Sequence, residues 1–476
     1  MTIIRSGRSE VQVYFWRMRK ALSFLVLLFV GPAVMAQQAG RLEVTVDGLA
    51  NDTVMLANYY GNRLFYCDTA VANANGELVF DRATGYAPGQ YALLWNGKRC
   101  ELVLNEPLVR LRTDSKDLDG HLTVVQSVEN ELFRERKRLG TALENAAALH
   151  ALAEKNAQTL VASMIRMSGP ATRDPVLRKN GTLDSVMTDH NFRMHYWDGI
   201  DLSDARMVNT PDLQNRFEEF LAVAVPDHSD SIERYVDDLL VRTNGTKAVM
   251  QFLLVKVFDR YENMDDRGMD ALYVHSAQKY VCGKDSASGP SGMPDAVRDH
   301  VCEKARTKAP LIIGAVSPGL VLADTSASHW IDLHAMTNDY TVVVFWSPHC
   351  GHCKQALPAF HEKYVQVLRK QGAGVYAVAD ATSAVLFADW KAFVRENHFS
   401  WTDVGVPIEV YQAFMADPQR RAPSTTTAAS ILYKDTWKVH STPKYFVLDR
   451  EHRIIARPKT INEVLSAIAG DRKRSH

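Results

Sequence analysis

Neither sign of charge is in excess in this sequence, where 55 Lys and Arg stand against 55 Asp and Glu. A chain that holds nucleic acid by its phosphates carries a basic surplus, so nucleic acid is not expected as a partner. The short cluster Arg472-Lys473-Arg474 reads as a solvated terminus. Cysteine is scarce, six in 476 residues, too few for a disulfide scaffold. A membrane-spanning run is missing from the N-terminus too: Ala21 to Val30 gives about ten apolar residues, against the ~20 a spanning helix needs.

That short run follows Arg17, Arg19 and Lys20 and precedes Gly31-Pro32 and Val34-Met35-Ala36. Such an order forms a secretory signal, with cleavage expected before Gln37. Met18 could also be the initiator, because a complete signal follows it. An uncleaved anchor is the alternative, and would be the one expected contact with a membrane. No cysteine lies near the cleavage point, so a lipid-anchored start is not expected. Export to the periplasm or cell envelope puts all six cysteines where disulfides persist. Cys67 with Cys100, and Cys282 with Cys302, are candidate bridges. Buried free thiols are the alternative, since spacing does not fix connectivity.

A chain this long exceeds one hydrophobic core. After the signal (1–36), three units are expected. Residues 37–128 show short alternating runs, such as Leu42 to Val46 and Glu101 to Leu104, separated by the turns Asn73-Ala74-Asn75-Gly76 and Asn96-Gly97. These imply an all-β sandwich or small barrel. In 129–308 the apolar period becomes helical, as in Val249, Phe252, Leu253, Val255, Phe258 and Tyr261, which implies an all-α domain. His190, His195 and Trp197 lie in it without metal-ligand spacing and read as packing and surface residues. Residues 283–294 read as an exposed loop and 310–318 as a linker. In 309–476 strands alternate with helices, implying an α/β unit. Its run Thr341 to Trp346 suits a central strand with both faces covered.

That strand runs into Cys350-Gly351-His352-Cys353, where a helix can begin. Two sulfurs three residues apart at a helix start share one face, close enough for a low-strain disulfide. Cys350 meets unpaired backbone N–H groups and the positive end of the helix dipole, which favour its thiolate and make it the expected nucleophile. Cys353, one turn deeper, is the expected resolving thiol. His352, as imidazolium, would stabilise that thiolate further, and His349 is a weaker candidate for the same role. Pro358 is expected to kink the helix. A zinc site would need a second close pair, and a c-type haem a His directly after Cys353, where Lys354 stands. No metal or cofactor is expected.

With Thr442-Pro443 preceding the strand at Lys444, this segment resembles thioredoxins, in which a cis-proline faces the reactive pair. The resemblance implies that Thr442 and Pro443, with Trp346, bind substrate, the Thr442 backbone pairing with an extended chain. Over its whole length the sequence is similar to exported bacterial proteins with a β-rich domain of unknown function, a helical domain of unknown function and a thioredoxin domain like those of the TlpA/ResA disulfide reductases. The first likeness rests on strands ending in Val128-Glu129-Asn130-Glu131-Leu132. The second rests on Tyr196-Trp197-Asp198, Asp204-Ala205-Arg206 and Met269 to His275. The third rests on Phe345-Trp346, the cysteine pair, Pro358 and Ser441-Thr442-Pro443. It implies dithiol-disulfide exchange on envelope proteins that carry disulfides, with a membrane or periplasmic thiol donor, and reduction as the direction.

Two acidic residues of that group are missing, since Val344 stands in the strand before the cysteines and Ala356 one turn after the second. The proton acceptor for Cys353 is therefore unassigned by sequence. Gly351-His352 resembles the dipeptide of disulfide isomerases, whose potential lies near roughly −180 rather than −270 mV, so isomerase or oxidase is the alternative direction. A peroxidase would carry Thr three residues before its reactive Cys, where Ser347 stands. A non-catalytic envelope binding protein is the remaining alternative. The segment 406–438 reads as a surface loop or as a cap over the substrate groove.

Overall fold

The computed structural model describes residues 39–140, 142–224, 229–264, 268–282, 293–417 and 419–474. The expected signal and its cleavage site, and residues 283–292 of the expected loop, lie outside the described residues.

Eight strands open the chain: β1 (Ala39–Asp47), β2 (Thr53–Tyr60), β3 (Arg63–Val71), β4 (Glu77–Tyr86), β5 (Gly89–Trp95), β6 (Lys98–Leu104), β7 (Leu108–Asp114) and β8 (Thr123–Gln126). They form two four-stranded sheets, ordered β4-β1-β7-β8 and β3-β2-β5-β6. Alternation sends Leu42, Val44 and Val46 from one sheet, and Leu56, Leu93 and Leu102 from the other, into one core. Asn96 and Gly97 both take left-handed backbone, φ 46° and 75°, as a two-residue hairpin between β5 and β6 requires.

Cys67 and Cys100 are not bridged. They sit on β3 and β6, the two edges of one sheet. Three strand spacings, about 14 Å, exceed the ~7 Å between Cα atoms that a disulfide tolerates. Burial pushes the Cys67 thiol up to about 11 and the Cys100 thiol up to about 12, so both stay protonated and inert.

The middle of the chain is helical: α1 (Val128–Leu139), α2 (Ala146–Lys155), α3 (Leu160–Ser168), α4 (Ser185–His195), α5 (Pro211–Glu219), α6 (Ser229–Arg242), α7 (Lys247–Tyr261), α8 (Asp270–Ala277) and α9 (Asp295–Lys308). The first turn of α1 joins it to the sandwich. The Asn130 side chain exchanges two hydrogen bonds with the Val103 backbone, at 2.8 and 2.9 Å. The buried Glu129 carboxylate accepts the Leu160 and Val161 N–H groups at the start of α3, where an anion is favoured. Of the three residues read as packing or surface, Trp197 is in the core, while His195 pairs with Asp198 at the surface. Cys282 and Cys302 are bonded, joining the turn after α8 to α9.

The last unit has one sheet of seven strands: β9 (Val321–Ala323), β10 (Trp330–Asp332), β11 (Tyr340–Trp346), β12 (Ala373–Ala379), β13 (Thr402–Gly405), β14 (Lys444–Leu448) and β15 (Ile454–Ala456), ordered β10-β9-β13-β12-β11-β14-β15. Its helices are α10 (Gly351–Lys363), α11 (Ala384–Asn397), α12 (Ile408–Ala416), α13 (Ala428–Ile431), α14 (Tyr433–Thr436) and α15 (Ile461–Arg474). Every residue of β11 and β12 is buried, as an unbroken apolar run demands. Leu357, Trp390 and Val464, from α10, α11 and α15, cover one face over Val342 and Val344.

The other face corrects an expectation. Residues 406–438 are not surface loop throughout: 419–425 are irregular and mostly exposed, but Phe414, Ile431, Tyr433 and Trp437 pack on Phe345 and Phe446 and bury that side of the sheet. The expected linker, 310–318, lies beside β15, with Val316 bridging Arg453 and the Ser317 N–H donating to the His452 carbonyl at 2.9 Å.

Candidate active site

β11 ends at Trp346, and α10 begins five residues further on at Gly351, with Cys350 as N-cap. The Cys350 backbone is extended, and its Sγ accepts the Cys353 N–H at 3.2 Å. One of the amides that a helix start leaves unpaired thus points at this sulfur, where negative charge is favoured. Cys350 is bonded to Cys353, with Cα atoms 5.2 Å apart. Cys353 is fully buried against Leu357 and Val344, whereas Cys350 is partly exposed. An incoming thiol or disulfide therefore meets Cys350 first.

The Thr442-Pro443 peptide is cis, and the Thr442 carbonyl oxygen lies 3.3 Å from Cys350 Sγ. In the disulfide that sulfur has no proton to give; once reduced, the Cys350 thiol can donate to this carbonyl. Pro443 also lines a shallow cleft with His352, Gln355, Tyr445 and Lys459. His352 is exposed on its rim. His349 Nε2 instead lies 2.7 Å from the Asp389 carboxylate on α11, a partner other than sulfur. Pro358 sits inside α10, and the helix runs on through it to Lys363, so the expected kink does not end the helix there.

Trp346 is not where substrate binding would need it. It is 1% exposed and its ring packs 5.3 Å from that of Phe393, so it is part of the apolar layer around Cys353 rather than a surface for substrate. Side chains on β11 alternate faces, and the residue abutting the turn points inward.

One charged residue beneath this layer was not anticipated. Asp403, on β13, pairs in register with Ala377, which pairs with Val344, so all three share the sheet face that carries Cys353. The carboxylate is buried, with neither oxygen hydrogen-bonded among the described residues. Burial pushes it up to about 8, and the Trp401 indole N–H, though outside hydrogen-bond geometry, opposes part of the rise. Val344 leaves the strand before the cysteines without an acid, and the buried acid of this face stands two strands away.

A strand leading into C-x-x-C at a helix start, with a cis-proline opposite, defines the C-terminal unit as a thioredoxin-like domain. Residues 313–457 match the model of the AhpC/TSA family. Among solved structures, the chain is similar to a thioredoxin-like protein from Bacteroides caccae, at 14% identity over 62% of this chain and 96% of that one, with a TM-score of 0.42. A domain of a possible thiol-disulfide isomerase from Cytophaga hutchinsonii matches at 24% identity over 35% of this chain and 97% of its own, with a TM-score of 0.27. A thiol:disulfide interchange protein from Bacteroides sp. matches at 19% identity over 35% and 97%, with a TM-score of 0.26. No curated protein matches the chain.

Proposed function

We propose that this protein is a thiol-disulfide oxidoreductase of the bacterial cell envelope that reduces disulfides in other proteins. The observation that carries the reading is the placement of the pair: Cys350 caps α10, accepting a backbone N–H, while Cys353 lies buried behind it. In the reducing direction the Cys350 thiolate attacks one sulfur of the substrate disulfide, forming a mixed disulfide and expelling the other sulfur as a thiolate, which takes up a proton. Cys353, losing its proton, then attacks Cys350. The substrate leaves with two thiols and the enzyme holds the Cys350–Cys353 disulfide, so two electrons have passed. A thiol donor must restore the dithiol.

Thr442 and Pro443 are assigned to substrate binding, His352 to stabilising the Cys350 thiolate. The Thr442 N–H makes no backbone hydrogen bond among the described residues, which leaves it for an extended substrate chain. The apolar run after Lys20, read as a secretory signal, supports an envelope location, and among the described residues no helix is long and apolar enough to cross a membrane.

Insulin reduction with a thiol donor tests the reading. The wild type should turn over and Cys350→Ser should fall to the uncatalysed rate; a wild type inactive in this assay and in refolding of scrambled ribonuclease refutes it. Cys353→Ser should accumulate mixed disulfides that dithiothreitol releases. The family match on 313–457 favours a second reading, a thiol peroxidase. Ser347 stands three residues before Cys350, and peroxide consumption faster than insulin reduction would select that reading instead.

A further inference from the structure

The sulfur that Cys350 displaces from a substrate disulfide departs as a thiolate, and it departs faster the less it needs a proton. Cys353 does not supply that proton at this step, being buried behind Cys350. His349, the residue before the nucleophile, is exposed on the rim of the centre and is held twice. Its backbone lies in the turn that the Cys350 N–H closes on the Ser347 carbonyl at 3.0 Å, and its Nε2 meets the Asp389 carboxylate at 2.7 Å. A carboxylate on Nε2 requires that nitrogen to carry hydrogen, which leaves Nδ1 as the position that gains and loses a proton. Nδ1 makes no hydrogen bond among the described residues.

Both members of the pair are about half-exposed, and an ion pair in that setting adds little to stability. Its arrangement is that of an activated site, a carboxylate orienting an imidazole beside a reactive sulfur. The topology also separates it from the substrate chain. β12 and β14 lie on opposite sides of β11. Thr442-Pro443 leads into β14 and sets the Thr442 carbonyl 3.3 Å from Cys350 Sγ, so a chain paired with Thr442 occupies that flank, where His352 also stands in the cleft with Pro443. α11 lies on the other flank, with Trp390 against Gly405 of β13 and Asp389 holding His349.

Resting on the oxidoreductase reading, we propose that His349 is a catalytic acid and base of the exchange and that Asp389 is the positioning residue that aims it. Displacement at sulfur is in line, so the second sulfur of the substrate points away from Cys350, off the cis-proline flank and towards the imidazole. As the bond between Cys350 and the substrate forms and the substrate S–S bond breaks, the imidazolium gives its Nδ1 proton to the departing sulfur, and the neutral ring regains one from solvent. In the reverse direction the same nitrogen takes the proton of an incoming thiol, so the assignment serves either direction of electron flow.

The test uses the reduced full chain in single turnovers with two uncharged disulfides. Bis(2-hydroxyethyl) disulfide releases an alkyl thiolate that needs a proton, whereas 2,2′-dithiodipyridine releases a thione that needs none at sulfur. His349→Gln should slow the alkyl disulfide roughly tenfold and leave the pyridyl one within about twofold, a smaller effect than a buried general acid gives because water reaches the pair. Asp389→Ala should show the same selectivity at about threefold, and Asp389→Asn, whose carbonyl oxygen still accepts from Nε2, should recover most of it. His349→Gln combined with Asp389→Ala should be no slower than His349→Gln alone, since the carboxylate acts through the ring. A loss shared equally by the two disulfides, as a merely structural role would give, a larger loss on the pyridyl one, or no loss at all overturns the assignment of His349 while the oxidoreductase reading stands. Additive losses in the double variant overturn the role of Asp389. A wild type inert towards both disulfides and towards insulin overturns the reading beneath them.

Discussion

At the scale of single residues the chemistry divides between groups adjacent in sequence and groups that only the fold brings near. Asp403 belongs to the second kind, and its effect on stability has a definite sign. Its folded value of about 8 lies above the ordinary 3.8, so between those limits the folded state keeps a proton that the unfolded chain has released. Stability from this group is complete below about pH 4 and declines as pH rises towards 8, by at most about 1.4 kcal/mol per pH unit. Asp403→Asn keeps the shape and removes the titration. The variant should gain on the wild type as pH rises from 5 to 8 in chemical denaturation; a constant difference between the two would contradict the assignment. The pair Cys350 and Cys353 was legible because four consecutive residues hold the motif, and Thr442-Pro443 because a resemblance supplied its place. Asp403 was not, since Thr-Asp-Val-Gly lacks the apolar run that marks a central strand, and it is α11, laying Trp390 against Gly405, that makes the segment interior. The neighbouring Phe399 and Trp401 were the available hint. Trp346 was misjudged for a related reason: whether an aromatic at a strand end faces solvent depends on what packs over it.

At the scale of elements, the strands with clean alternation were readable, the edge strand β6 among them, and two other edges, β3 and β8, were not. β3 shows no regular burial pattern, and β8 has four residues, mostly exposed; with one neighbour each, neither needs the apolar code that marks a central strand. Residues 406–438 read as loop because their three helices are short and irregular, yet Trp437 is fully buried beneath Phe345 and Phe446. The Cys282–Cys302 bond was one of two open possibilities, and it closes a loop 20 residues long in sequence separation. By the chain-entropy account, a bridge of this span stabilises by about 3 kcal/mol. Replacing both with Ser should lower stability by that order, read as a shift in denaturant midpoint under non-reducing conditions. Doing the same to Cys67 and Cys100 should leave any redox sensitivity unchanged, because those thiols are not joined.

At the scale of the whole molecule, composition and periodicity could count the units but could not say how they meet. The two contacts that matter most lie far apart in sequence: Asn130 with Val103, and Asp270 with Arg457, 187 residues away. Asp270 is 1% exposed, so Asp270→Asn leaves a guanidinium buried without its counter-charge. Breaking one partner of such a pair costs about 3 kcal/mol or more. The variant should unfold at lower denaturant and be cut faster by protease in the stretch 309–320, where the helical unit hands over to the last sheet; unchanged proteolysis would show that Arg457 does not hold the two units together.

Because Arg457 belongs to the C-terminal unit and Asp270 to the helical one, cutting the C-terminal unit free would strip a guanidinium of its counter-charge, so a shortened chain that carries the cysteine pair alone would need Arg457 replaced as well.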